Sequence, residues 1–575
     1  MVLIVGLTSL VSTFVPGLAT HVRLVRDMVP DAFPAAATTG SGAVGAILIA
    51  LSRALRRGKR RAWVLAVCLS ALAATLHVLK GLEVGAALLC LLLTVLLVSG
   101  RRHFRARPDP RSTRRLIVVL TVGPLVAAAL GYLWLATDGD GQRAGTTAAD
   151  RLWQALLGLV GIPGPIDFVD TGATTRAAVG LVVLGAAVLL LAVVVAMQPA
   201  DGPHMLTGEE QTRVRSLLDD WGWVDSLSYF ATREDRAVIF SPCGRAAVSY
   251  RVVGTTSLAA GDPIGNPAAW PAAIDAWLAE ARAYGWTPAN LGASERGATA
   301  LHKAGLDVLE LGDEAIVHGD DFTLEGRAMR GVRQAVARTK RAGITASCSR
   351  IGDLSAEALD GVRDRAAHWR EGPVERGFSM ALGRFGHPCD DQGVLVCATG
   401  ADGELVGLLH LVPWGDDGLS LDLMRRSRDS ENGIVELMVA TLLDRAPTLG
   451  VSKISLNFAV FRSIFARGER LGAGPVLRLW RALLLWASRF AQIESLYRAN
   501  AKYRPEWAPR YLVFQSAADL PKVATAALRA EAFLVAPAWL RRRAMRRTPA
   551  PVSATDFLTS TSRTEDPALS RPRRG

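Results

Sequence analysis

The segment 497–512, YRANAKYRPEWAPRYL, sets Arg498, Lys502, Arg504 and Arg510 among Tyr497, Tyr503, Trp507 and Tyr511, with Glu506 as its single acid. Cations neutralise a phosphate while neighbouring rings form an apolar wall that excludes water. A basic solvated surface with a few core aromatics has the same spacing. Context favours the first reading. The segment closes a polar half that follows a block of apolar stretches, so a lipid phosphate and a tRNA are both available to it.

Upstream, helix-like and strand-like runs alternate. Residues 209–221 place Val214, Leu217 and Leu218 on one helical side. Residues 237–240 and 246–251 read as strands around the Ser-Pro-Cys-Gly turn at 241–244, and 268–284 as a helix. Residues 324–342 read as a basic helix with Arg327, Arg330, Arg333, Arg338, Lys340 and Arg341. A second round follows: helix 354–369, strands 393–398, 405–413 and 419–424 with an Asp402-Gly403 turn, helix 433–446 and strand 453–458. Two such rounds predict two α/β units in tandem, 205–345 and 346–548, with a disordered Ser/Thr/Pro/Arg-rich tail over 549–575. The run Trp539–Arg547 before that tail suits an anionic lipid surface or an RNA backbone.

The first 200 residues predict a membrane α-helical bundle of about six spans, near 1–18, 38–55, 62–79, 82–99, 116–136 and 177–197. Arginines and a lysine crowd 53–61, and arginines crowd 101–115, while loop 137–176 carries Asp138, Asp140, Asp150, Asp167 and Asp170. Positive charge stays on the cytoplasmic side, so the two basic loops and both termini are expected in the cytoplasm of a multi-pass protein of the bacterial cell membrane. Trp153 and Phe168 mark 151–168 as an interfacial segment on the outer face. A net charge of +13 with 50% hydrophobic residues over 575 positions fits this organisation better than a soluble enzyme. Six scattered cysteines without a C-x-x-C pair suggest neither a zinc site nor a disulfide framework.

Several ordered blocks resemble the phosphatidylglycerol lysyltransferase (aminoacyl-phosphatidylglycerol synthase) family. Asn500-Ala501-Lys502-Tyr503, continuing to Trp507 and Pro509-Arg510-Tyr511, is similar to its N-A-K-[FY]-x-P-x-W-x-P-R-Y signature. Asp422-Leu423-Met424-Arg425-Arg426, followed by Asn432-Gly433 and Glu436, resembles its D-L-M-R block. Gly377-Phe378-Ser379-Met380 with Gly383-Arg384 resembles its G-F-S-M-x-x-G-R block, and 312–315 and 329–333 resemble earlier ones. The likeness spans residues 205–545.

The resemblance implies two GNAT-like (acyltransferase-type) units with a tunnel between them. It implies transfer of an aminoacyl group, lysyl most commonly, from aminoacyl-tRNA to a hydroxyl of phosphatidylglycerol, which lowers the membrane's negative charge. One ester is exchanged for another, so no cofactor or metal is expected. The site must align the substrates, stabilise the oxyanion and exclude water. Asp422 is the candidate partner of the donor's ammonium, and Arg425 the candidate to stabilise developing charge or to orient Asp422. Lys502 and Arg504, with Arg510 as a third cation, are expected to hold the lipid phosphate. Asn432 and Glu436 are candidates to orient the donor, and Ser379 and Arg384 are further substrate-binding candidates. An Asp422–Arg425 ion pair ending a strand, a solvated Glu436 and a packed His410 are the plainer alternatives, and His387 is the weak candidate for a general base.

Three rival functions fit the sequence less well. Acetyl-CoA use would require an R/Q-x-x-G-x-G/A loop, which 205–545 lacks. A peptidoglycan-precursor aminoacyltransferase would not carry the signature at 500–512. A lipid flippase would need a longer membrane block. The sequence shows no lysyl-tRNA synthetase domain, so charged tRNA is expected from elsewhere. A homo-oligomer is compatible with all of this.

Overall fold

The computed structural model describes residues 60–79, 84–101, 110–137, 141–196, 206–320, 322–370, 375–460 and 499–535, with isolated positions before residue 56. The chain forms two bodies, 1–201 with 281–286 and 202–280 with 287–575.

In the first body the continuous helices among the described residues are α1 (Arg60–Leu79), α2 (Val84–Ser99), α3 (Pro110–Thr137), α4 (Ala148–Gly158) and α5 (Thr171–Ala196). Among the described residues two segments, Arg115–Thr137 and Thr171–Val195, are long and apolar enough to cross a membrane, whereas α1 and α2 contribute the shorter apolar stretches Ala62–Thr75 and Gly85–Ser99. The predicted spans at 1–18 and 38–55 lie outside the described residues apart from isolated positions. The two long helices keep Leu125, Leu133 and Val183 exposed, an arrangement suited to hydrocarbon rather than to a soluble core. Small residues let α3 and α5 approach closely: a Cβ on Gly131 would lie 2.7 Å from Leu181, and one on Gly123 2.9 Å from Val188. A capping box between Thr147 and Asp150 starts α4. Leu152, Trp153 and Leu156 stay exposed on α4, while Phe168 packs against the Leu135–Leu181 cluster instead.

In the second body the helices among the described residues are α6 (Gly208–Trp221), α7 (Trp270–Tyr284), α8 (Glu295–Lys303), α9 (Arg330–Arg341), α10 (Ala356–His368), α11 (Ile434–Arg445) and α12 (Leu520–Ala530). The strands are β1 (Ala237–Phe240), β2 (Ala246–Val253), β3 (Thr256–Ala260), β4 (Ile264–Gly265), β5 (Thr287–Ala293), β6 (Asp307–His318), β7 (Thr345–Arg350), β8 (Val394–Thr399), β9 (Leu405–Trp414), β10 (Gly418–Arg426), β11 (Lys453–Val460) and β12 (Glu506–Phe514). They form one 12-stranded sheet in the order β1-β2-β3-β5-β12-β6-β11-β10-β9-β8-β7, with β4 beside β2. Both expected rounds are present, each with antiparallel strands, a helix and a parallel strand: β3 beside β5, and β10 beside β11. The rounds share one sheet because β12, from near the end of the chain, inserts between β5 and β6 of the first half.

Two departures from the sequence reading bear on function. The basic helix starts at Arg330 rather than Leu324, because Gly326 takes φ +82 and Arg333 folds back to the Leu324 and Gly326 carbonyls. From Glu506 onward the aromatic–basic segment is an interior strand, not an open cradle. Pro509 pairs with Asp313 of β6 just before a register shift between Arg510 and Tyr511, and pairing with β5 begins only at Tyr511.

Around β8–β10 the sheet has two covered faces. On one, α9 and α11 pack Val332, Val336, Leu437 and Met438 against Leu409, Leu411 and Leu421. On the other, α10 covers Leu395, Leu408 and Leu423.

Candidate functional site

The D-L-M-R block lies on β10, and strand alternation sends its residues to both faces of the sheet. Leu421 pairs with Leu411 and Leu423 with His410, so Asp422 is the extra residue of a β-bulge.

On the α10 face, Asp422, Arg425 and Arg384 line one cavity of about 140 Å³, together with Glu375, Arg363 and Arg370. Asp422 is nearly buried, its Oδ1 accepting from the Leu382 N–H (2.6 Å) and its Oδ2 bonded to His410 Nδ1 (2.6 Å). Arg425 does not pair with Asp422: it bonds Glu375 and the Ala366 carbonyl. Arg384 forks onto Asp390 (2.8 and 3.0 Å) and donates to the Thr232 carbonyl (2.7 Å). Burial works against the Asp390 charge, but Arg384, Tyr229 and Arg215 outweigh it and hold the carboxyl down at about 2.

On the α11 face, Asn432, Glu436 and Lys502 line a second cavity of about 510 Å³. Leu421, Val439 and Leu456 form its apolar wall, while Arg338, Arg426 and Lys502 bring cations to it. Lys502 Nζ meets Glu436 at 2.7 Å, so Glu436 is a paired group and not a solvated one. Burial opposes the Glu436 charge, yet the Lys502 bond and nearby Arg338 leave its acidity strengthened. Arg338 bonds the Asn432 carbonyl (2.8 Å), and Gly433 starts α11 at φ +115 without a side-chain cap. A Cβ at Gly433 would come within 2.7 Å of Thr339 Oγ1, so this tight start of the helix requires glycine. Asn500 ties the signature segment to β11 through the Leu456 carbonyl (3.0 Å).

This cavity sits where the sheet opens. β10 and β11 pair only through Gly418–Lys453, Leu419–Ile454 and Ser420–Ser455. Beyond them Asn457 takes φ 78, a left-handed conformation that Asn tolerates, and β11 continues against β6 alone.

Three expected site residues lie elsewhere. Arg510 is buried and saturated: Nη1 meets Asp225 (2.7 Å) and the Gly292 carbonyl (3.1 Å), Nε and Nη2 meet Glu314 (2.9 and 2.6 Å), and Nη2 also meets Ser226 Oγ (2.6 Å). It borders a separate cavity of about 1110 Å³ walled by Trp270 and Trp507, not the one that holds Lys502. No donor of Arg510 is left for a lipid phosphate. Ser379 is also spoken for: its N–H (3.0 Å) and Oγ (2.6 Å) bind Glu531, which fastens the G-F-S-M loop. Arg504 is exposed, at φ 54, and lines none of the three cavities.

Sequence reasoning missed the pairing of His410 with Asp422 and of Glu375 with Arg425, and the presence of Arg338 and Arg426 beside Lys502. The alternation of β9 with β10 could have signalled the first. His387 caps the turn at 388–390 by accepting from the Cys389 N–H (3.3 Å), and burial with the nearby Arg384 lowers its basicity.

Residues 215–514 match the family described as "Phosphatidylglycerol lysyltransferase, C-terminal", and the chain belongs to that family. The "Lysylphosphatidylglycerol biosynthesis bifunctional protein LysX" of Mycobacterium avium is 45% identical over 507 residues, covering 85% of this chain and 42% of that protein. The protein of the same description from Mycolicibacterium gilvum is 43% identical over 556 residues, covering 93% and 49%. The chain thus spans about half the length of these curated relatives. Among solved structures, L-PGS from Bacillus licheniformis aligns at a TM-score of 0.49 with 22% identity, over 57% of this chain and 97% of that one.

Proposed function

We propose that this chain transfers an aminoacyl group, lysyl in the first instance, from aminoacyl-tRNA to phosphatidylglycerol. Family membership supports the reaction class. The observation that carries the reading in this chain is the opening between β10 and β11, with an acid-bearing cavity on one face of the sheet and an apolar, cation-bearing cavity on the other. The acceptor's hydroxyl oxygen bonds to the ester carbonyl carbon, the tRNA ribose oxygen leaves, and the hydroxyl proton ends on that ribose oxygen.

Asp422 takes the donor's ammonium, and Arg425, held by Glu375, faces the charge that develops on the carbonyl oxygen. Lys502, with Arg338 and Arg426, takes the lipid phosphate, and the apolar wall receives the glycerol backbone and the start of the acyl chains. The opening lets the two substrates meet with little water present. Arg384, Asn432 and Glu436 orient these groups. Arg510 and Ser379 act structurally.

The test is full-length protein in phosphatidylglycerol vesicles supplied with labelled lysyl-tRNA. Label should move into lipid, stop after RNase and slow as salt rises. Transfer from acetyl-CoA that ignores RNase would overturn the reading.

For the membrane body we propose six spans with both termini cytoplasmic, on the strength of the arginine clusters and the two long apolar helices. A reporter active only in the cytoplasm should work after Arg61, Arg107 or Gly575 and fail after Gly141. Activity of the Gly141 fusion would break this topology.

A further inference from the structure

His410 lies on β9 opposite the bulge that contains Asp422, with no exposed surface, and its ring stands edge-on to Phe385 at 5.0 Å. Nδ1 meets Asp422 Oδ2 at 2.6 Å. Nε2 is buried and has no hydrogen-bond partner among the described residues. It abuts the backbone at Gly393, where a Cβ would approach to 3.1 Å. A carboxylate only accepts, so the proton of this bond belongs to Nδ1. With the proton on Nδ1, the buried end left without a partner is the Nε2 lone pair.

Asp422 is thereby clamped at both oxygens, Oδ1 by the Leu382 N–H and Oδ2 by His410. Each oxygen keeps a further lone pair, and the carboxylate still lines the cavity it shares with Arg384 and Arg425. A bulged residue has no regular ladder partner to fix its direction, so the clamp supplies what the strand does not.

We infer that His410 is a positioning residue of the transfer site: its Nδ1–H fixes the carboxylate of Asp422 in the orientation that meets the donor's ammonium. This rests on the role given to Asp422 above. A histidine that merely packed would be replaceable by a similar apolar volume. A positioning histidine needs a donor at the place of Nδ1, which the side-chain amide of asparagine supplies.

The test uses full-length protein in phosphatidylglycerol vesicles, as wild type, His410→Asn, His410→Leu, Asp422→Asn and the His410→Leu/Asp422→Asn double variant. Unfolding midpoints and kcat and KM for both substrates are measured. His410→Leu should lower kcat by about tenfold or more with KM for lipid unchanged, His410→Asn should recover most of that loss, and His410→Leu should add nothing on the Asp422→Asn background. Wild-type kcat in His410→Leu would overturn the inference, as would losses that multiply in the double variant. So would a folded His410→Asn as impaired as His410→Leu. Should His410→Leu fail to fold, His410→Asn alone decides: active supports the clamp, folded and inactive rejects it. A wild-type chain that moves no aminoacyl group rejects the transferase reading instead. The His410–Asp422 link is then judged from the midpoints: additive effects of the two substitutions overturn it, and non-additive effects sustain it.

Discussion

β3 and β5 lie parallel over five residue pairs, Thr256–Thr287 to Ala260–Leu291, and the Gly261 N–H then binds the Leu291 carbonyl (3.1 Å) while Asn290 Nδ2 binds the Gly261 carbonyl (2.8 Å). β10 and β11, the corresponding parallel pair of the second half, stay together for three pairs and then part around Asp422 and Asn457. In the first half the nearby charges are saturated: Arg510 spends its donors on Asp225, Glu314, Ser226 and Gly292. Burial, then the charge of Asp225, pushes the adjacent Asp262 carboxyl up to about 7. In the second half Asp422 and Lys502 are bonded less fully than Arg510, so each keeps bonding capacity toward the cavity it lines. The same strand order therefore keeps the parallel pair joined in one half and lets it part in the other. What separates them is local: a bulge, one left-handed Asn and a short parallel ladder.

The strongest way to break this contrast is Arg510→Ala. It would leave Asp225 and Glu314 buried without their cation, and we expect a loss of about 3–5 kcal/mol in unfolding free energy. Denaturant unfolding of the full chain checks it. A variant that stays as stable as the wild type and loses only its lipid dependence would return Arg510 to the substrate site.

This arginine also shows where sequence reading stopped. The second-half strands are short apolar runs bounded by turn residues such as Asp402-Gly403, so β8, β9, β10 and β11 were legible with ends displaced by a residue or two. β3 and β5 are buried along their whole length and built of Ala, Gly, Ser and Thr with few large side chains, so they gave no alternation to read. Arg510 looks in sequence like Lys502 and Arg504. Its burial comes from Glu314, 196 residues earlier, a strand pairing that no local pattern encodes. Ser379 was misread for the same reason, since its partner Glu531 is 152 residues away. Asp422, Arg425 and Arg384 were found through their motifs and share a cavity. That Asp422 is held by His410 while Arg425 belongs to Glu375 depended on a bulge and on the 375–384 loop.

On the open side, Asp422→Asn should lower kcat by roughly 10²–10³, the scale of losing one preorganised electrostatic contact. It should cost less stability than Arg510→Ala, because the asparagine oxygen still accepts one of the two bonds from Leu382 and His410. Steady-state kinetics beside unfolding curves separate the two. An unchanged kcat would remove Asp422 from the site and with it the functional half of the contrast.

A third test concerns the support of that cavity. Asp390 has its folded-state value held at about 2, below the ordinary 3.8: burial opposes this shift, and the bonds and charge of Arg384, with Tyr229 and Arg215, overcome it. A depressed carboxyl adds stability that is present above its unfolded value and is lost as pH falls through the folded one. Here the loss should occur between about pH 4 and pH 2 and amount to about 2 kcal/mol. Asp390→Asn should remove that part of the acid slope. An unaltered slope would mean that Arg384 is fixed by other groups.

The smallest effect belongs to Lys502, which shares a segment with Arg510 and has the opposite environment. Its side chain is 47% exposed and its ion-pair partner among the described residues is Glu436 at 2.7 Å, so solvent screens whatever it binds. Lys502→Ala should therefore raise the KM for phosphatidylglycerol by only about two- to fivefold, the scale of a partly screened pair worth up to about 1 kcal/mol, with kcat and unfolding midpoint nearly unchanged. Glu436→Gln should raise KM by less than Lys502→Ala, since it loosens the lysine without removing it, and the double variant should match Lys502→Ala. Arg504→Gly supplies the contrast within the same segment. Arg504 lines none of the three cavities and sits at φ 54, where glycine is at ease, so this change should leave lipid KM alone. If Arg504→Gly shifts lipid KM and Lys502→Ala does not, the lipid phosphate binds outside the α11-face cavity, and the opening between β10 and β11 is not its route.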